Sequence, residues 1–166
     1  MAWVLLSLRK MELTRTHSDL QMQDLQISRE QRQMARKYQY DQTVVQNDQN
    51  EELRNLRSQY TDARSTLYDQ INQLKEEDAE GNSSDINELY RQIDEAKEDY
   101  QEDVNNAKTE WEDELQMIEE EANEIETQYD EDKVRIETQM EAVAQELQAV
   151  GEAVSQQIQQ DVIKLS

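Results

Sequence analysis

Between Ile86 and Leu165 apolar side chains return every three or four residues. The series runs Ile86, Leu89, Ile93, Ala96, Tyr100, Val104, Ala107, Trp111, Leu115, Ile118, Ala122, Ile125 and Tyr129. Past a polar interruption at Asp132 and Lys133 it continues through Ile136, Met140, Val143, Leu147, Val150, Val154, Ile158, Val162 and Leu165. This spacing follows one face of an α-helix, and a disordered chain would not keep register so long. It predicts one helix over residues 86–165, nearly straight because the mean step is close to that of an undistorted helix.

The first half is patterned more loosely. Leu6, Leu13, Leu20, Ile27 and Met34 recur every seven, but the positions three residues on are Arg9, Thr16, Gln23 and Glu30, so only half of a heptad seam is apolar. Met11, Met22 and Leu25 broaden the stripe. Beyond Met34 the period lengthens to eleven, with Met34, Val45, Leu56 and Leu67 in one row and Ile27, Tyr38, Gln49, Tyr60 and Ile71 in another. Residues 41–52 are the weakest stretch, because Gln46 to Asn50 places polar, poorly helix-forming residues in series; a helix locally loose or kinked is expected there, with a loop as the alternative.

One break divides the two patterns. Gly81 can adopt the left-handed conformation that ends a helix, and Asp85 followed by Glu88 has the spacing of a capping box, with Ser84 as the alternative cap. Glu76, Glu77, Asp78 and Glu80 stand unfavourably at the preceding helix C-terminus, so fraying is expected there. The pattern therefore predicts an all-α fold: a single elongated, antiparallel two-helix coiled-coil hairpin, oligomeric, with helix 1 over 1–80, a turn at 81–85 and helix 2 over 86–165. At about 1.5 Å per residue these helices would be roughly 105–120 Å long. A pair that long buries one stripe from each helix and leaves the rest to other chains.

Composition supports an extended helical protein over a compact globule. The 166 residues include no Pro, Phe or Cys and two Gly, with a mean hydropathy of -1.12 and a net charge of -22. Such a charge argues against nucleic acid as a partner, since phosphates need clustered Lys and Arg. The charge is uneven. Residues 1–40 hold seven Lys or Arg against four Asp or Glu, whereas residues 81–140 hold five against twenty-one. In a hairpin the basic N-terminal arm would lie beside the last quarter of the chain, which carries Asp130, Glu131, Asp132, Glu137 and Glu141.

Candidate chemistry is sparse, and the expectation is a protein that is not an enzyme, with no cofactor, metal or small-molecule substrate. His17 is the one histidine and lies among Thr16, Ser18 and Asp19, which reads as a polar, solvent-exposed face. With no cysteine, the usual triads and zinc sets cannot be assembled. Glu119 to Glu121 and Asp130 to Asp132 lack the glycine and ligand spacing of a calcium loop and read as solvated faces. Asn82-Ser83-Ser84 matches a glycosylation acceptor, a pattern short enough to arise by chance.

The termini carry the remaining signal. Trp3, Val4, Leu5, Leu6 and Leu8 form an apolar octet with Arg9 and Lys10 behind it, the reverse of a cleavable leader and too short to cross a bilayer. It reads first as a helix end covered by the C-terminus or by another subunit, and second as an interfacial membrane contact through residues 1–10. Residues 142–165 are apolar, small and Gln-rich, and Gly151 reads as a point of close helix approach ahead of a hinge. The expected assembly interface therefore comprises Trp3, Val4, Leu5, Leu6, Leu8, Leu13, Leu20, Val143, Leu147, Val150, Gly151, Val154, Ile158, Val162 and Leu165.

These features suggest a structural subunit whose partners are copies of itself, together with other structural proteins of the same assembly, forming a filament, tube or particle. In arrangement it resembles the paired terminal helices of flagellin-type and type III secretion filament subunits, and helical virion components. That resemblance is architectural and assigns no residue a role. Synthesis in the cytoplasm, with incorporation into an extracellular or viral assembly, would fit it. An adaptor, scaffold or assembly chaperone that holds another protein's apolar helix is the alternative.

Overall fold

The computed structural model describes residues 2–77 and 83–165, leaving aside the side chains of residues 2, 83, 162, 164 and 165. It is all-α. Helix α1 spans Ala2–Glu77 and helix α2 spans Ser83–Leu165, and the two pack against each other as a hairpin. The connection expected at Gly81 and Asn82 lies outside the described residues, as do Asp78 and Glu80.

Helix α2 starts three residues before the expected Ile86, so Ser84 and Asp85 belong to its first turn and not to a loop. An acidic group there complements the helix dipole. The Glu88 carboxylate accepts from Arg91 Nε at 2.9 Å, and Arg91 also pairs with Glu95 one turn on. This hydrogen bonding, with a further donor from Gln92, holds the Glu88 carboxyl down to about 2.

The polar run through Gln46–Asn50 stays helical. Its neighbours explain why. Val45 and Leu53 pack into the helix interface on either side of the run, and Asn50 Nδ2 donates to the Gln46 carbonyl at 2.8 Å. The tertiary contact outweighs a propensity penalty of a few tenths of a kcal/mol per residue.

Two compact units share these helices, and each has its own packing. The first comprises residues 38–120. Its centre is Trp111 with Val45 and Ala107, flanked by Leu53, Leu56, Leu115 and Ile118. The eleven-residue rows expected on α1 both turn inward: Val45, Leu56 and Leu67 in one, Tyr38, Tyr60 and Ile71 in the other, with Ile71 only 1% exposed. On α2 the inward positions between Tyr100 and Ala122 keep the same period. Matched periods let the two stripes stay face to face without the drift that a heptad and an eleven-residue row would accumulate. Two aromatic pairs bridge the helices. Tyr60 stacks on Tyr100 with centroids 4.9 Å apart, and Tyr68 meets Tyr90 edge-on at 6.4 Å; each geometry is worth about 0.5–1.5 kcal/mol beyond area burial.

The second unit comprises residues 1–37 and 121–166. Leu13, Leu20 and Ile136 are buried, and Ile27, Met34, Ile125, Met140, Val143, Leu147, Val150 and Val154 are half-buried along the same seam. Arg9 crosses to Glu146 with two hydrogen bonds of 2.8 and 3.0 Å, and Gln31 crosses to Asp130 at 3.3 Å. The basic arm does lie beside the acidic last quarter of the chain.

Trp111→Ala is expected to lower stability by about 3 kcal/mol or more, the range for removing a buried aromatic. Met117→Ala, six residues away and 63% exposed, is expected to change it by less than about 0.5 kcal/mol. Urea unfolding followed by circular dichroism checks both.

Candidate functional site

The terminal unit differs from its counterpart in what it leaves uncovered. Among the described residues, its exposed large apolar side chains are Trp3, Val4, Leu5, Leu8, Met11, Met22 and Leu25 on α1, and Val134, Ile158 and Ile163 on α2. In the other unit only Tyr40, Tyr68, Tyr90 and Met117 are in this class, and there twenty-four Asp or Glu stand against seven Lys or Arg. Apolar exposure is therefore concentrated where acidic charge is least.

The expected interface residues divide three ways. Leu13 and Leu20, 4% and 7% exposed, are buried inside the hairpin and offer nothing to a second chain. Leu6, Val143, Leu147, Val150 and Val154 are half-buried between the helices. Trp3, Val4, Leu5, Leu8 and Ile158 are open, and the side chains of Val162 and Leu165 lie outside the described residues. Ile158 is open because the inward row steps by three to Gln157 at that point.

The second inward row of α1 stands four residues beyond the heptad row, at His17, Asp24, Gln31 and Tyr38; of the positions three residues beyond it, Thr16 and Gln23 are exposed and Glu30 is half-buried. Within the unit His17, Asp24 and Gln31 share the face of the buried Leu13 and Leu20. His17 is consequently half-buried in the seam instead of lying on a solvent face.

Asp24 also turns inward. Its Oδ1 is buried and has no hydrogen-bond partner. On α2 the matching interruption is Asp132 and Lys133, both half-buried, with Asp132 paired to Arg135 at 2.7 Å. The terminal seam thus contains a polar band between apolar stretches, a device that disfavours slipped registers at some cost in stability.

Gly151 is not a point of close approach within the chain. A Cβ built there would meet nothing within 4 Å. The outer stripe formed by Met11, Met22 and Leu25 is the feature that spacing along the seam undervalues; its signal is one apolar residue two positions from each of Leu13, Leu20 and Ile27. Beside it an open groove runs along α1, lined by Ser7, Lys10, Met11, Thr14, Arg15 and Ser18.

Among the described residues no group of three or more His, Cys, Asp or Glu could hold a metal ion, and no helix is long and apolar enough to cross a membrane. The chain matches no known family, no curated protein and no solved structure.

Asp24→Leu is expected to raise the urea midpoint, adding about 1 kcal/mol or more by removing a buried, unsatisfied oxygen. A fall in the midpoint would show that Asp24 is better solvated than its burial implies.

Proposed function

We propose that this protein is a non-enzymatic structural subunit that self-assembles through its terminal unit into a filament, tube or particle. The observation that carries this reading is the concentration of exposed apolar side chains on residues 3–25 of α1 and 134–163 of α2. On α1 five of these side chains fall within residues 3–11, and apolar exposure clustered in this way marks an interaction site where single scattered residues do not. In an assembly the two-helix seam becomes part of a coiled coil of more than two strands, with the strongly acidic unit held in solvent as the solubilising end.

Copies of the same chain are the simplest partner. Each copy offers bulky apolar positions on one helix and a low-charge, small-residue face on the other, so no second protein is required. An adaptor or assembly chaperone would hold a foreign helix on the α1 stripe instead.

Removal of residues 1–8 is expected to abolish ordered particles in negative-stain images while leaving the helical circular dichroism spectrum intact. Unchanged particles after that deletion would show that the N-terminal octet is not part of the assembly core. A purified full-length chain that forms no ordered species, yet binds an added apolar helix, would favour the adaptor reading.

A further inference from the structure

The two outer faces of the terminal unit fit each other. On α1 the exposed positions Val4, Leu8, Met11, Arg15, Met22 and Leu25 follow four–three spacing, with Ser18 completing the row. On α2 the exposed positions Ile163, Gln159, Gln156, Glu152, Ala149, Gln145, Ala142 and Thr138, read towards the N-terminus, repeat the same four–three steps. Laid antiparallel with Val4 level with Ile163, every layer falls into register. Met22 and Leu25 then stand over Gln145 and Ala142, Ser18 meets Ala149, and Arg15 stands opposite Glu152. Leu8, Met11, Met22 and Leu25 thus face Gln159, Gln156, Gln145 and Ala142, unbranched or small side chains, as knobs require holes.

The geometry points to a second copy of this chain as the occupant, docked with its outer α2 face on the outer α1 face of the first. This rests on the structural-subunit reading and specifies its contact. Charge selects the pairing. Within the seam, residues 138–163 hold four Asp or Glu and no Lys or Arg, so α2 against α2 is repulsive, whereas residues 4–25 balance three Lys or Arg against three Asp or Glu and place Arg15 opposite Glu152. Arg9 is engaged within its own chain by Glu146, but among the described residues Arg15 has no ion pair, and Glu152 accepts only a neutral hydrogen bond from Gln148. The seam stops after Thr138, because the next layer would oppose Arg32 to Arg135.

The contact is heterologous: each copy presents an α1 face to one neighbour and an α2 face to another. Because α1 and α2 of one copy run antiparallel, neighbouring copies lie side by side pointing the same way. Repetition closes into a ring or continues as a filament.

Charge reversal tests it in full-length protein by sedimentation velocity. Arg15→Glu and Glu152→Arg are each expected to lose the high-mass species at concentrations where the wild type is assembled. Mixing the two variants in equal amounts is expected to restore it, because each contact then pairs opposite charges; the double variant R15E/E152R is expected to assemble alone. The chain lacks cysteine, so S18C and A149C chains, mixed and oxidised, are expected to form a cross-linked heterodimer. A wild type that never assembles overturns the structural role and this seam together. Assembly undiminished in both single variants, or no recovery on mixing with no S18C–A149C cross-link, overturns the seam while leaving the structural role standing.

Discussion

The molecule depends on one constraint: each helix must keep a single apolar stripe facing its partner, because it has nothing else to hold it. There is no cysteine to cross-link it, and among the described residues no polar or charged side chain is fully buried. The ion pairs that do form are exposed at both ends, and such pairs contribute little to stability. Stability must therefore come from side chains such as Trp111, Ile71, Leu13 and Ile136, and a seam that lost register would lose most of it.

Register is protected differently in each unit. In residues 38–120 the devices are the eleven-residue periodicity and the Tyr60–Tyr100 and Tyr68–Tyr90 contacts, which place large rings at fixed levels. In the terminal unit the device is polar. Asp24, Gln31, Asp132 and Lys133 interrupt the seam, and Gln31 reaches Asp130 directly. A one-heptad slip would set Asp24 against the apolar layers of α2 at Ile125 or Met140. That the polar band lies in the unit with the uncovered outer faces fits a part of the chain that must hold its own pairing while presenting apolar surface elsewhere.

Much of this was legible in the residues. The two helices, the inward row of α2 and the eleven-residue rows of α1 follow from spacing alone, because periodicity is a property of the chain itself. What was not legible was rotation. Whether Thr16 or His17 faces inward is a tertiary choice that local spacing leaves open. The start of α2 lies three residues earlier than spacing placed it, because Ser84 and Asp85 carry no apolar signal yet already belong to the first turn. Gly151 suggested close contact because small residues often permit it, yet no part of its own chain approaches. Spacing also did not separate Leu13 and Leu20, which are buried in the hairpin, from Trp3, Val4, Leu5 and Leu8, which are exposed.

Sedimentation equilibrium of the intact chain over a wide concentration range tests the central claim most directly. If the terminal unit exists to be covered by further copies, the weight-average mass rises with concentration well above the 19.7 kDa of one chain. A mass that stays at 19.7 kDa throughout would contradict the account.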